Sequence, residues 1–226
     1  QTKYTRGGNG SGGPYAWDQM PYDPETGLTT AQRQAIGALC HDAGVSVSAD
    51  YTPDGTGAST SNADEKFVSV FGYANSIYSD LNSGSLSDAL MRTINSNLDA
   101  ALPVILSMSG LNVAHAAIAD GYGYQSGQLL HHMNFGWTGL EDAWYSLPPD
   151  TSFNFNTLTG CVYNVFPAGT GEIVSGRVTS LAGAPLSGVQ ISAYKGTTFV
   201  KQTTTNSRGI YALRNLDSNT QFRIAA

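Results

Sequence analysis

A histidine and an asparagine in neighbouring segments are the residues of this chain best suited to chemistry. His115 lies in Asn112-Val-Ala-His-Ala-Ala-Ile-Ala-Asp-Gly, and Asn134 lies in His132-Met-Asn-Phe-Gly-Trp. If the two segments form neighbouring antiparallel strands, the two side chains can meet across the ladder. An asparagine carbonyl that accepts one imidazole N–H would fix the tautomer and orientation of His115. The other ring nitrogen could then take the proton of a thiol.

Trp137 follows Asn134 by three positions and completes the candidate catalytic set. Its indole ring could exclude water from a hydrogen bond between Asn134 and His115, and a low dielectric constant strengthens such a bond. Taken alone, a histidine in an apolar strand is more often a core residue than a catalytic base. The function of His115, Asn134 and Trp137 therefore has to be judged from the elements that carry them.

The two cysteines, Cys40 and Cys161, offer no better nucleophile. Cys161 lies in an apolar segment that predicts a buried strand, and Cys40 lies on the apolar face of a predicted helix. His41 follows Cys40 directly, but adjacent residues on a helix do not face each other, so the pair forms a poor dyad. We expect two buried free thiols, although one disulfide between them is also compatible with the sequence. Neither cysteine belongs to a CxxC or Cys/His metal-binding pattern.

No cofactor and no metal ion are expected. His131 and His132 are adjacent, so on a strand they would face opposite sides and could not share a metal. A group of acidic residues brackets a glycine-rich loop, but its spacing fits no EF-hand, and a solvated loop is favoured over a calcium site. These acidic residues are Asp50, Asp54, Asp64 and Glu65.

Charge and hydropathy exclude two classes of partner. The net charge is −6 and no cluster of lysine or arginine occurs, whereas nucleic-acid binding needs a basic footprint. No stretch approaches the ~20 apolar residues of a membrane-spanning helix. Charged residues make up only 12% of the chain, about half the usual share.

The elements between residues 15 and 167 change from helices to strands along the chain. Thr29 and Gln32 predict a capping box for a helix that ends at Gly44 and is followed by a short strand. Two further helices are predicted around residues 63–71 and after Ser87. Beyond Pro103 the apolar period becomes two, which predicts consecutive antiparallel strands. Helices followed by a sheet indicate an α+β fold. The predicted strands are VILSMSG, VAHAAIADGYG, QLLHHMNFGW and DAWYSL.

Composition places two boundaries around this region. Residues 1–14 are glycine-rich and predict a loop, and residues 168–172 predict a linker. Residues 173–226 contain short alternating segments separated by turn signals, which are typical of a small β-sandwich. Its predicted inward positions are Val174, Val178, Val189, Ile191, Ala193, Phe199, Tyr211 and Leu213.

A series of segments in residues 15–167 resembles the streptopain (C10) family of cysteine peptidases. The segments are YAWDQMPYD, ALCHDAGVSVSADYTPDGTGAST, FGY, LDAALPVILSMSG, AHAAIADGYG, HMNFGWTG and DAWYSL, in this order. The resemblance implies papain-like subdomains and a secreted or surface-located bacterial endopeptidase that acts on protein or peptide substrates. It also allows a propeptide or an inhibitor domain as a partner.

The resemblance assigns the catalytic base to His115. Asn134 and Trp137 match the Asn-Trp-Gly-Trp element of the family. Three departures stand out: Asn112-Val-Ala precedes the histidine where the family has glycines, Phe135 replaces the first tryptophan, and Thr138 replaces a glycine. The lost glycines bear on the width of the substrate cleft, whereas Phe135 keeps an aromatic side chain beside the histidine.

The nucleophile of the family lies in a Gly-Cys-Val-Ala-Thr-Ala type of motif at a helix start, upstream of these segments. We therefore expect the chain to start after the catalytic cysteine and to be inactive alone. Residues 173–226 resemble carboxypeptidase-regulatory-like β-sandwich modules, whose last strands we expect to be missing. Two alternatives stay open: a non-catalytic peptidase-like scaffold that acts as a binding protein, and hydrolysis through Cys161.

Overall fold

The computed structural model describes residues 4–24, 27–53, 55–81, 86–111 and 113–226. The chain divides into two compact units, Gln1–Lys66 and Phe67–Ala226. Two positions discussed above, Asp54 and Asn112, lie outside the described residues.

The first unit is built around helix α1, Thr30–Ser46. The predicted capping box is confirmed, because the Thr29 side chain accepts from Gln32 N and the Gln32 side chain accepts from Thr29 N. The predicted end at Gly44 is wrong, since the helix continues to Ser46 and includes the segment expected to form a strand. Gly44 instead allows a close approach, because a Cβ atom there would collide with the Tyr51 hydroxyl. The other elements of the first unit are 3-10 turns at Trp17–Gln19 and Thr60–Asn62 and strands β1 (Asp50–Thr52) and β2 (Gly55–Gly57). Helix α2 (Ala63–Ser69) begins in the first unit and ends in the second.

Asp42 of α1 binds the glycine-rich N-terminal segment through hydrogen bonds. Its side chain is 1% exposed and accepts hydrogen bonds from Arg6 N at 2.8 Å, Gly7 N at 2.7 Å and the Tyr15 hydroxyl at 2.7 Å. Burial opposes ionisation, but these hydrogen bonds and one from His41 outweigh it and lower the pKa of Asp42 to about 2. The predicted loop is therefore held in place by one buried carboxylate.

The second unit contains a six-stranded antiparallel sheet in the order β3-β8-β4-β5-β6-β7. Helix α3, Asp88–Asp99, packs against it and begins at Ser87, whose side chain accepts from Leu90 N. Helices combined with an antiparallel sheet confirm the predicted α+β class. The strands are β3 (Asn75–Asp80), β4 (Val104–Gly110), β5 (Val113–Gln125), β6 (Gln128–Asn134), β7 (Ala143–Tyr145) and β8 (Thr157–Phe166).

One face of this sheet forms the main core together with α3. Alternate residues of the central strands lie on that face, as the period of two requires. The buried members are Ile94, Val104, Leu106, Met108, Ala117, Ala119, Met133, Phe135, Phe155, Leu158 and Cys161.

The C-terminal strands form two small sheets with their own core. The sheet orders are β11-β10-β13 and β12-β9, and Ile191, Ala193, Leu213 and Leu216 are buried between them. Phe199 was expected to point inward but is 52% exposed, because a register shift between Ala193 and Tyr194 pairs it with Tyr194. The strands are β9 (Glu172–Arg177), β10 (Gln190–Lys195), β11 (Thr198–Thr204), β12 (Ile210–Leu216) and β13 (Arg223–Ala225).

Helix α3 also contacts β9 and β12, so it packs against both the six-stranded sheet and the C-terminal strands. Asn97 exchanges two hydrogen bonds of 2.9 Å with Asn164 of β8, and Asn164 Nδ2 donates to Glu172 Oε2 at 3.1 Å. Asp99 accepts from the Tyr122 hydroxyl at 2.9 Å and from Ser175 Oγ at 2.6 Å. The segment predicted as a linker therefore connects two sheets that are bound to one helix.

Replacing Asn97 with alanine should destabilise the second unit. Asn97 and Asn164 are 0% and 1% exposed, and the substitution leaves a backbone N–H and a side-chain oxygen of Asn164 without their partner. An unpaired buried polar group costs ~1–3 kcal/mol, so we expect a loss of about 2–4 kcal/mol in urea unfolding. The control Asn156→Ala removes an exposed hydrogen bond and should change stability by less than ~0.5 kcal/mol. Equal effects of the two substitutions would contradict this account.

Candidate active site

His115 lies on β5 in a group of aromatic side chains. It pairs with Met108 of β4 and is half-buried. Its ring centroid lies 4.4 Å from that of Trp137, 5.9 Å from that of Phe135 and 6.0 Å from that of Phe155. The structure thus brings Trp137 to His115, where the indole ring covers one side of the imidazole.

The imidazole of His115 is oriented by a main-chain carbonyl. Its Nε2 atom lies 2.9 Å from the carbonyl oxygen of Phe135. A carbonyl oxygen can only accept, so Nε2 carries the hydrogen and Nδ1 of the neutral ring keeps its lone pair. Nδ1 is therefore the atom of His115 that can take a proton from a thiol.

Asn134 does not place its side chain beside His115. It pairs with Ile118 of β5, which lies three positions from His115. Successive strand residues face opposite sides, so the two side chains are on opposite faces of the sheet. Asn134 is exposed, and its Oδ1 accepts from Gly136 N at 2.8 Å. The expected direct hydrogen bond is replaced by one to the backbone of the next residue, Phe135, whose side chain lies on the face of His115.

Asp142 is a residue of the site that the sequence did not identify. Its Oδ1 accepts from Phe135 N at 2.8 Å. The segment DAWYSL was predicted as a strand, but nothing in it marks Asp142 as a partner of a residue seven positions earlier. The contact follows from the return of the chain between β6 and β7, which only the fold shows.

Thr138 occupies a strained position in this return. Its φ is 55°, in the left-handed region that favours glycine, and this is the position where the resembling family has glycine. Its Oγ1 donates to Trp137 O at 2.6 Å. The backbone path is thus kept although the residue that suits it best is absent.

Within the described residues of the second unit, no cysteine lies beside His115. Cys161 is 0% exposed, and burial raises the pKa of its thiol to about 12. It pairs with Leu106 of β4, so β4 lies between Cys161 and the strand of His115. At ~4.8 Å per strand, β8 and β5 are roughly 10 Å apart. The strand assignment of Cys161 is correct. Cys40 belongs to the first unit and is exposed, so its predicted burial is wrong; Ala35 is the only apolar side chain of α1 that is buried.

His131 and His132 face opposite sides of β6, as expected. His131 is 0% exposed; its Nε2 lies 2.8 Å from Asn95 Oδ1, and its Nδ1 has no hydrogen-bond partner. Burial lowers the pKa of His131 to about 4. His132 Nδ1 lies 2.7 Å from Asp120 Oδ1. Within the described residues, no three His, Cys, Asp or Glu side chains are grouped to hold a metal ion.

Comparison with known proteins assigns the chain to a family. The sequence model of the Peptidase C10 family matches residues 1–145, and that of the carboxypeptidase regulatory-like domain matches residues 173–226. The first match covers more than half of the chain. The chain belongs to the Peptidase C10 family.

Individual relatives agree with this assignment. Streptopain of Streptococcus pyogenes serotype M1 is 29% identical over 134 residues, which are 59% of this chain and 33% of streptopain. The chain thus spans about one third of the curated relatives that it matches. Active interpain A cysteine protease of Prevotella intermedia superposes with a TM-score of 0.60 at 24% identity, over 68% of this chain and 65% of interpain A.

A fragment of prointerpain A from the same organism superposes with a TM-score of 0.58 at 25% identity, over 70% of this chain and 49% of the fragment. Among the described residues, no helix has the length and apolarity that a membrane crossing requires.

A thiol reagent should distinguish the two cysteines. In the folded chain we expect rapid modification of the exposed Cys40 and protection of Cys161, because burial both excludes the reagent and suppresses the thiolate. Mass spectrometry after timed exposure measures the two rates, and Cys40→Ser provides the control for Cys161. Modification of Cys161 in native buffer at the rate seen in denaturant would contradict the buried assignment.

The stability of the second unit should fall in mild acid because of His131. Its pKa is about 4 in the folded chain and 6.5 ordinarily, so the unfolded chain binds more protons between these values. The stabilising contribution of neutral His131 is therefore complete above pH 6.5. It is lost as the pH falls towards 4, which lowers the free energy of unfolding by up to about 3 kcal/mol.

His131→Gln should remove this decline in urea unfolding measured at several pH values. His132→Gln, on the other face of the same strand, should leave the decline in place. An unchanged pH dependence in His131→Gln would show that another group is responsible.

Proposed function

We propose that this chain supplies the histidine half of the catalytic site of a cysteine endopeptidase that acts on proteins or peptides. The observation that carries the proposal is the hydrogen bond from His115 Nε2 to the Phe135 carbonyl. It leaves Nδ1 as the proton acceptor, under the cover of Trp137. Membership of the Peptidase C10 family supplies the reaction class.

In the proposed reaction, a cysteine thiol transfers its proton to Nδ1 of His115. The thiolate attacks the carbonyl carbon of the scissile peptide, and the imidazolium returns the proton to the leaving amine. Water then hydrolyses the thioester and regenerates the thiol. Membership of the Peptidase C10 family supports a nucleophile upstream of residue 1. Cys161 does not replace it, because β4 separates it from His115 and burial keeps its thiol neutral.

The remaining parts of the proposal concern location and the accessory strands. We propose a bacterial secreted or cell-surface protein, as suggested by the streptococcal streptopain relatives. Residues 173–226 would serve as an accessory module of the peptidase, and a propeptide or inhibitor domain would be a further partner. The second candidate, a non-catalytic scaffold, is favoured by one observation: within the described residues, the second unit offers no thiol beside His115.

Labelling with a thiol-directed epoxide should decide between the two. In the full-length gene product that contains this chain, we expect modification of one cysteine upstream of residue 1, located by mass spectrometry. His115→Ala should reduce both labelling and peptide hydrolysis by about 100- to 10,000-fold, the range for loss of a general base.

His132→Ala is the matched control, because it removes a histidine from the next strand that lies on the opposite face of the sheet. It should leave labelling and hydrolysis nearly unchanged. The absence of labelling in folded, fully processed protein would refute the peptidase and support the scaffold.

A further inference from the structure

One peptide group connects Asn134 to His115. The N–H of Gly136 donates to Asn134 Oδ1 at 2.8 Å. This N–H and the carbonyl of Phe135 belong to the same peptide unit, and that carbonyl accepts from His115 Nε2 at 2.9 Å. The side-chain oxygen of Asn134 and the imidazole of His115 are thus bound to opposite ends of one planar group.

The preceding peptide group is held as well. The N–H of Phe135 donates to Asp142 Oδ1 at 2.8 Å. Phe135 is therefore fixed by a carboxylate on one side and by an amide oxygen on the other. Its side chain is 2% exposed and packs against the rings of Trp137 and Tyr145, so the residue has little freedom to turn its carbonyl away from His115.

We propose that Asn134 and Asp142 are positioning residues that orient His115 through the backbone of Phe135. Their part in catalysis rests on the proposed peptidase function, whereas their effect on the imidazole does not. Asn134 cannot contact His115 directly, because the two side chains are on opposite faces of the sheet. It acts across the sheet through the peptide unit between Phe135 and Gly136.

Two physical effects allow Asn134 and Asp142 to orient the imidazole of His115. A hydrogen bond to the N–H of a peptide strengthens the acceptor power of its carbonyl, with condensed-phase estimates of about 10–30% per bond. The bond from Phe135 N to Asp142 ends on a carboxylate, and hydrogen bonds to ionised groups are stronger than neutral ones. Both bonds also fix the plane of the carbonyl, so that its oxygen points at Nε2.

A purely structural role for Asn134 predicts something different. Asparagine often accepts a hydrogen bond from a backbone N–H two residues later, and such turns stabilise loops without any effect on a distant ring. The chain contains a comparable turn between β11 and β12: Asn206 Oδ1 accepts from Arg208 N at 2.9 Å and also from Ile210 N at 3.1 Å. Asn206→Ala therefore removes the same kind of turn at a position remote from His115.

The test is nitrogen-15 NMR of the imidazole of His115 in the 226-residue chain. In the unsubstituted chain we expect the Nε2–H tautomer and slow exchange of this hydrogen with water. Asn134→Ala should accelerate the exchange by about 2- to 10-fold, the range for one ordinary hydrogen bond, and should raise the share of the Nδ1–H tautomer. Asn134→Asp keeps the acceptor oxygen and should restore the original signals, and Asn206→Ala should not change them.

Asp142→Ala should produce the same change in the ring signals as Asn134→Ala, and Asp142→Asn should largely restore them. If one alanine variant does not fold, as shown by its backbone amide spectrum, the other variant and the conservative substitutions still decide. Ring signals of His115 that are unchanged in folded Asn134→Ala, or equally changed in Asn206→Ala, would overturn the inference.

Activity assays separate this inference from the proposed function. In a full-length gene product with peptidase activity, Asn134→Ala should lower kcat and leave KM nearly unchanged. If the ring signals respond but the gene product has no peptidase activity, the positioning role stands and the peptidase proposal fails. If the gene product is active and the ring signals do not respond, the positioning role alone fails.

Discussion

The alternation of side chains along β5 and β6 determines what His115 can contact. Pairing of Ile118 with Asn134 places the asparagine on one face of the sheet and the ring of Phe135 on the other, together with His115. The hydrogen bond to the Phe135 carbonyl and the aromatic cover from Trp137 follow from this register. A shift of one residue would exchange the faces and would remove Phe135 from the core. The same pairing that buries the apolar face therefore also defines the candidate site.

Local patterns predicted much of the architecture but not this register. The caps at Thr29 and Ser87 and the period-two segments after Pro103 depend on neighbours in sequence, and the structure confirms them. The partner of a residue across the ladder depends on bulges, such as the shift between Ala119 and Gly121, which no local signal marks. A direct hydrogen bond between Asn134 and His115 was therefore expected, but the register shift places the two side chains on opposite faces of the sheet. The exposure of Phe199 has the same origin, a shift in the pairing of β10 with β11.

Helix α3 connects the strand of His115 with the C-terminal strands. Asp99 accepts from Tyr122 of β5 and from Ser175 of β9, and burial raises the pKa of this carboxyl despite the two hydrogen bonds. Arg214 of β12 donates to the carbonyl of Ala100 at the end of the same helix. The composition of residues 168–172 predicted a linker. It could not predict the contacts of the flanking strands with α3, because these depend on the fold. The contacts indicate that the C-terminal strands stabilise the helix on which the six-stranded sheet packs.

A main-chain acceptor changes which substitutions the site can tolerate. Every residue at position 135 provides the same carbonyl, so the side chain there matters for the cover of His115 rather than for its hydrogen bond. Phenylalanine in place of the tryptophan of the resembling family therefore keeps both features. What the geometry does require is the direction of the carbonyl, which depends on the path of the chain through Gly136 and Thr138, with φ of 72° and 55°. A non-glycine residue at such an angle costs of order 1 kcal/mol or more. The bonds from Asn134 and Asp142 hold the same stretch of backbone, and they can offset such a cost.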